Sequence, residues 1–598
     1  MASNYTQDKR ISKFTSPLGG DELVILSFRG REAMNEPFEY EVEVINTKKA
    51  ILQFNDAIGK HCTLTMNTVG GGKRHFDGIL TESQWLESRT EGNIYRLVLR
   101  PWLWLLSKRT NSLIFHELTA PEIISEIFGA HGGLAKYRQS LSRNYPQIEY
   151  VAQYRESDMD FVCRLMEQHG ISYHFVHEEG KHTLVMGDGA SAYSPVPSSD
   201  RPFIAVDARH RRETEHLSLW RPERRLTTGK ITLRDYDFKR PSANLDAEQS
   251  GDAAYEHGSL ESYEYPAKYV ERSDGSDYAQ VHLDRERAKD NRFITEGDCA
   301  SFYPGALFNL TGHPDDAQNE QYLILRCAHQ FTGESYRSGS GDAKPYEGHY
   351  ECMRADKPYA PPLATAKPCV LGPQTAKVVG SGEIDCDEHG RIKVRFHWDR
   401  KSNQSRLVRV AQVFAGQKWG AVFTPRVGME VLVEFLEGDP DQPIVVGCVY
   451  NGENKPPYDL PGEKNISGWK SDSVGGGGYN EFVMDDSGGS ELVRFHAQKD
   501  LDSTILNDEK RLVKHDRETT IKNNETLDVT NEILIKAGMK ITIECGQSSI
   551  VMDPMSIKIT SPTVEIKTSL QFSSKSDLLS KHEAGVDMNI TGLLVRIN

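Results

Sequence analysis

The sequence predicts a mainly β chain in several parts. A long mixed region with a few helices comes first. A small five-stranded barrel follows, and then a C-terminal run of short strands with no core of its own. Three observations predict this. Apolar and polar residues alternate with period two in many short segments, and 49 glycines among 598 residues supply turns. Two Pro- and Gly-rich stretches divide the chain. Beyond the second, aromatic residues nearly vanish and β-branched doublets recur at a short period.

Composition narrows the function classes. Charged residues make up 26% of the chain and the mean hydropathy is -0.55. No run of 18 or more apolar residues occurs, so the sequence offers no membrane-spanning helix. Residues 1–20 lack an apolar h-region, so no cleaved secretory signal is expected. The nine cysteines are odd in number, scattered, and free of any C-x-x-C pair. That argues against a disulfide framework and against a zinc ribbon, and suits a reducing compartment. A formal charge of -15 and a pI near 5.8 disfavour nucleic acid as a general partner.

In the first region, Leu23–Phe28, Phe38–Val44 and the alternating Tyr95, Leu97 and Leu99 read as strands. Ser157 reads as a helix N-cap, with Asp160 three residues on. Phe161, Val162, Leu165 and Met166 line one face, and Gly170 marks the stop. A second helix is expected from Pro121 to about Phe128, since proline costs little in a first turn. Four prolines between Pro358 and Pro368 then impose a semi-extended linker.

The barrel strands are expected at Ala376–Val379, Arg391–Trp398, Leu407–Val413, Glu430–Leu436 and Ile444–Val449. Five short strands with Gly and Asp-Pro turns fit a Greek-key barrel of OB type. A second linker follows, with Pro456, Pro457, Pro461 and four glycines from Gly475. It has no room for an enzyme domain. From Tyr479 the doublets Ile533/Ile535, Ile541/Ile543, Ile557/Ile559 and Val564/Ile566 recur in steps of about eight, with Val551 falling between. One such ribbon has no core of its own. It must coil on itself or wrap with other chains.

Candidate chemistry is sparse. His177-Glu178-Glu179-Gly180-Lys181-His182 places its second histidine one position too late for a helical zinc pair, and a hairpin is expected instead. Asp385 to Gly390 echoes a calcium loop, but position twelve is Phe396 where a bidentate Glu is required. A tight turn at Gly390 explains the same residues. Along Arg391–Trp398, Ile392, Val394, Phe396 and Trp398 share one face. Arg391, Lys393, Arg395 and His397 share the other, so the aromatics read as core rather than as a nucleic-acid platform. No G-x-S-x-G elbow, Walker loop or G-x-G-x-x-G after a strand occurs.

Several segments together resemble one family. They are Val151-Ala152-Gln153-Tyr154-Arg155-Glu156-Ser157-Asp158, Gly170-Ile171-Ser172-Tyr173, Asp235-Tyr236-Asp237-Phe238 and Tyr263-Glu264-Tyr265-Pro266. In the barrel they are Gly390-Arg391-Ile392-Lys393-Val394, Phe396-His397-Trp398-Asp399 and Gly438-Asp439-Pro440-Asp441. Tyr479-Asn480-Glu481 and His496-Ala497-Gln498-Lys499-Asp500 open the repeat. The chain is similar in these to the VgrG spike proteins of type VI secretion, from about Leu23 onward.

The resemblance implies a homotrimer built like a phage tail hub fused to its needle. Residues 1–370 would form tail-hub-like β-barrels, 371–455 the OB-fold needle base, 456–484 a Pro/Gly-rich linker, and 485–598 an intertwined trimeric β-helix or prism. About 14 octads at one strand spacing each give a stalk on the order of 70 Å. It further implies a hexameric tube protein at the hub end. A PAAR-repeat tip protein would dock on Leu594, Val595, Arg596, Ile597 and Asn598. Effectors or their adaptors would be carried, and a target membrane pierced rather than stably bound. Assembly in the bacterial cytoplasm precedes secretion by the type VI system. The phage needle carries a lysozyme between barrel and prism, where this chain has only the linker. The expectation is therefore a non-enzymatic spike without cofactor or metal. The alternative is a tail-associated cell-wall hydrolase with a catalytic pair hidden in the hub.

Overall fold

The computed structural model describes residues 7, 10–46, 48, 50–205, 214–252, 254–333, 346–401 and 406–597. The chain divides into two compact units, Met1–Lys499 and Asp500–Asn598. Among the described residues no helix is long and apolar enough to cross a membrane, and all nine cysteines are unpaired thiols.

The first unit is organised by a twelve-stranded sheet. Its N-terminal half holds Val24–Ala33, Glu36–Asn46, His61–Asn67, Lys73–Arg89 and Gly92–Arg100. These pair antiparallel as successive hairpins and meanders. The expected strands at Leu23–Phe28, Phe38–Val44 and Tyr95–Leu99 all fall here. The two halves join where Val24–Ala33 pairs antiparallel with Gln321–Thr332, Phe28 lying opposite Phe331. Tyr346–Arg354, Arg292–Gly297 and Leu217–Glu223 continue the sheet.

Each half has its own core. Phe14, Phe28, Tyr40, Phe76 and Leu97 pack in the first, joined by Phe128, Phe161 and Leu165 from two helices. Leu217, Phe302, Phe308, Tyr322 and Tyr350 pack in the second. Burying a side chain of this size contributes about 1.5–3 kcal/mol.

Both expected helices are present, and their caps explain where they start. Ala120–Gly129 follows Thr119, which forms a reciprocal capping box with Glu122. Asp158–Gln168 follows Ser157, whose hydroxyl accepts from Asp160 N at 3.0 Å. Gly170 leaves the helix at φ 64°. A third helix, Arg272–Arg287, was not legible in the sequence. It buries only Gly275, Ala279, Val281, Leu283 and Arg285. A Cβ at Gly275 would come within 2.5 Å of the Tyr269 ring, so the glycine lets the helix lie close.

The barrel closes as expected: Gln374–Val379, Ile392–Phe396, Arg406–Val410, Pro443–Val449 and Glu430–Phe435, in that order. Ile392, Val394 and Phe396 are buried, and Trp398 stacks on Phe396 at 5.0 Å. Arg391 departs from the expectation of a solvent face. It is buried, bonded to Asp387 at 2.7 Å, with its guanidinium 5.3 Å from the Phe238 ring centroid. Between Val410 and Glu430, the loop takes a short excursion through Ala415–Gly416 and Trp419–Gly420.

The second linker is shorter than expected. Ile466–Asp472, Tyr479–Asp485 and Leu492–His496 form a three-stranded antiparallel sheet. Gly475, Gly476 and Gly477, all at positive φ, lie in its hairpin turn. Trp469, Phe482 and Phe495 stack across the three strands at 5.7 and 4.6 Å. The first linker is extended but pinned. Glu167 accepts from Ala364 N and Thr365 N at 3.0 and 2.9 Å, and Arg285 donates to Pro361 O at 2.6 Å.

Candidate functional site

The second unit carries an apolar stripe with nothing against it. Residues 500–540 include no strand in the single chain. Ile541–Cys545, Ser548–Met552 and Ile557–Thr560 form one antiparallel sheet. Its register places Ile541 opposite Met552, Ile543 opposite Ile550, and Ile550 opposite Ile559. These residues therefore share one face. Val551 faces the other way, opposite Thr542. The doublet between Ile543 and Ile557 is thus Ile550/Met552, a one-residue correction to the expected spacing. The cause is the turn at Gly546, φ 55°, which reverses the chain there.

Every sequence-derived doublet is exposed or half-exposed. Ile535, Ile543, Ile557 and Ile566 are all more than half exposed, and Leu570, Leu578 and Val586 are essentially fully exposed. Single exposed apolar residues are ordinary. A continuous file of them over about 100 residues marks an interaction surface. Leu594, Val595, Arg596 and Ile597 lie at its end, exposed and without strand structure in the single chain. Asn598 lies outside the described residues.

Within the first unit, an ionic joint clamps the barrel to the hub. Asp441 Oδ1 accepts from Ala152 N at 2.8 Å, and its Oδ2 receives Lys268 Nζ at 2.9 Å. Asp439 takes the same ammonium at 2.6 Å. Burial raises the Asp441 carboxyl, but Lys268 and then Arg164 outweigh it and hold it below the usual carboxylate range. Apolar contacts run alongside: Ile114, Tyr150, Ala152 and Tyr154 of the hub share a core with Val378, Val394 and Phe435 of the barrel. The sequence marked Asp439-Pro440-Asp441 only as a turn. Its carboxylates' partners lie far away along the chain, so no local signal could reveal the joint.

The motif at His177 to His182 is the expected hairpin, with His177 paired to His182. It belongs to a polar cluster, buried except at His61, that the sequence did not show. Asp77 accepts from His61 Nδ1 at 2.7 Å, His182 Nδ1 at 2.8 Å and Thr63 Oγ1 at 2.7 Å. His61, Asp77 and His182 lie close enough to hold a metal ion. The hydrogen bonds argue otherwise. Trp102 N donates to His182 Nε2 at 2.8 Å. That fixes the ring proton on Nδ1, the atom facing Asp77, which therefore offers a donor and not a lone pair. Burial lowers the His182 pKa and keeps the ring neutral. Asp77 is pushed up by burial, but the bonds from His182 and His61 hold it below the usual range. The cluster is a satisfied network tying the hairpin to the sheet.

Comparison with known proteins finds matches to three parts of the chain. The family described as phage tail baseplate hub (GPD) matches residues 31–335. The type VI secretion system/phage-baseplate injector OB domain matches 374–450, and the bacteriophage T4 gp5 C-terminal trimerisation domain matches 467–571. The type VI secretion system spike protein VgrG1b of Pseudomonas aeruginosa is 38% identical over 525 residues, 86% of this chain and 71% of that one. VgrG1a of the same organism is 36% identical, over 90% of this chain and 89% of that one. Among solved structures, the E. coli c3393 protein, described as a type VI component similar to T4 gp27 and gp5, superposes with a TM-score of 0.53. It is 19% identical and covers 73% of this chain and 100% of its own, a likeness of fold.

Proposed function

Because the chain belongs to the VgrG family of type VI secretion spike proteins, we propose that three copies wind their second units into one needle on a shared hub. The observation that carries this is the exposed apolar file from Ile533 to Ile597, which lies largely within and just beyond the matched trimerisation domain. In one chain it faces water. At about 25 cal/mol per Å² of apolar surface, its mutual burial among three chains is a large driving force. The first unit has an apolar ladder of its own, Trp469, Phe482 and Phe495, half-open in the single chain and also within the matched trimerisation domain.

Three further roles follow from that assembly. The hub end sits on a hexameric tube protein, and a PAAR-repeat tip protein docks at Leu594 to Asn598. Effectors or their adaptors ride on the spike. The protein is assembled in the bacterial cytoplasm, leaves by the type VI route, and pierces the target membrane mechanically rather than by catalysis. Naming of the relatives as spike proteins supports this reading, as does the hydrogen-bonded state of the His61, Asp77 and His182 cluster. Light scattering on the purified chain tests the assembly. Three times the 67.3 kDa chain mass is expected, and a stable folded monomer would overturn the proposal.

A further inference from the structure

A cleft of about 520 Å³ opens in the first unit beneath the extended linker. Its walls come from five places: the Arg143–Pro146 loop, the end of helix Asp158–Gln168, the stretch from Asp188 to Tyr193, helix Arg272–Arg287, and the linker at Ala355–Ala360. None of the roles above uses it.

The floor holds His169, 4% exposed. Neither of its ring nitrogens has a hydrogen-bond partner. A buried imidazole with both nitrogens orphaned costs free energy unless something in the cleft satisfies it. Burial, with help from Arg143 and Lys268, lowers its pKa to about 4, so at neutral pH the ring offers one donor and one acceptor. Tyr278 meets it edge-on at 5.7 Å.

One wall is acidic. Asp274, Asp277 and Asp284 line the cleft from a single helix. Their spacing of three and seven residues puts them on one face. Asp274 and Asp277 have no hydrogen bond or ion pair from their carboxylates to any described residue, and Asp284 takes only Gln280 at 2.8 Å. Burial, and then the neighbouring Asp277 and Glu271, raise the Asp274 pKa, as expected of a carboxylate lacking its counter-ion. The cations nearby are already engaged. Arg143 donates to the carbonyls of His169 and Gly170 at 2.6 and 2.9 Å and pairs with Asp188 at 3.7 Å. Lys357 turns to Asp252 at 3.6 Å. The opposite walls are aromatic, with Tyr145, Tyr193 and Tyr359 beside Tyr278. Among the described residues, no three of the acidic groups lie close enough together to hold a metal ion.

We propose that this cleft receives an alkylammonium or guanidinium group, the head of a lysine or arginine side chain or of a free polyamine. The aspartates meet the charge, the tyrosine rings flank the alkyl stem, and neutral His169 accepts a donor at the floor. The linker wall makes the occupant touch the segment joining hub to barrel. The proposal stands on the cleft alone and is independent of the needle.

Calorimetric titration of the full-length protein tests it, with spermidine in one arm and a capped Gly-Lys-Arg-Gly peptide in the other. Binding is expected in at least one arm, weakened by high salt. The variant Asp274→Asn/Asp277→Asn should weaken it about tenfold. A remote control of equal charge change, Asp485→Asn/Asp486→Asn, should leave it unaltered. His169→Phe should weaken it too, and His169→Gln should restore part of the loss. Tighter binding of the peptide assigns the cleft to a side chain of a docked protein, and tighter spermidine binding to a free polyamine. No saturable binding in either arm, or equal weakening by the remote control, overturns the proposal.

Discussion

Replacing Asp441 by alanine should loosen the barrel from the hub. The carboxylate is only 8% exposed and makes two contacts across the joint, to Ala152 N and to Lys268. Its loss leaves the Ala152 N–H unpaired, at about 1–3 kcal/mol. It also removes one of the two carboxylates facing a buried ammonium, and only Asp439 at 2.6 Å remains. Together these reach about 3–5 kcal/mol, the range for breaking a buried ion pair. Asp441→Asn keeps an acceptor for Ala152 N and should cost about 1–2 kcal/mol. The pH dependence has a definite sign. The folded carboxyl is held below its ordinary value. Its contribution is therefore complete above about pH 4, near the unfolded carboxylate pKa, and is lost as pH falls through the lower folded value. Urea unfolding reads the joint through Trp398, which packs against hub Tyr154 at 5.4 Å. Wild type should lose its advantage over Asp441→Asn only in acid. Equal midpoints for the alanine and asparagine variants, or an advantage that does not shrink as pH falls below about 4, would refute the reasoning.

Ile557→Asp should put three unpaired charges in the trimer interior, at several kcal/mol each, and abolish resistance to heat and detergent; trimers as robust as wild type would show that Ile557 faces outward. Asp77→Asn should cost about 1–3 kcal/mol by disturbing the bonds from Thr63, His61 and His182. Because the Asp77 pKa is lowered in the fold, the deficit against wild type should shrink in acid, which a pH series of melting curves would check. Deleting residues 593–598 should remove tip-protein capture in a pull-down while leaving the trimer mass unchanged. Purified protein should release no fragments from peptidoglycan, and reproducible release lost on a single carboxylate substitution would establish the hydrolase alternative.

Local patterning carried much of the fold. The barrel strands showed because Ile392, Val394 and Phe396 alternate with charged residues and really are buried. The Ser157 cap showed because its partner Asp160 sits three residues away. Arg391 misled because alternation cannot foresee a ring such as Phe238 arriving over one cation. Glycines Gly475 to Gly478 misled because a hairpin tip and a flexible linker ask for the same residue. Helix Arg272–Arg287 was hidden by its charge, since few of its residues are buried. The functional surface was legible in kind, as a repeat without a core. Its register was not, because the turn at Gly546 shifts the doublet to Ile550/Met552. The cleft at His169 left no trace, since its walls come from five distant segments.

The pairing of Val24–Ala33 with Gln321–Thr332 has a consequence for biosynthesis. About 300 residues separate the partners, and at 5–20 residues per second the ribosome needs on the order of 15–60 s to span them. Through that interval the first strand waits with one edge open. Arg29 and Arg31, alternating along it, make that edge a poor template for a stray chain. The segment after Lys499 is translated after the hub and barrel. Each hub and barrel can therefore close on its own before the apolar file that draws three chains together has emerged. Synthesis order thus separates the two events, and chains meet as finished bases with only their tails left to braid.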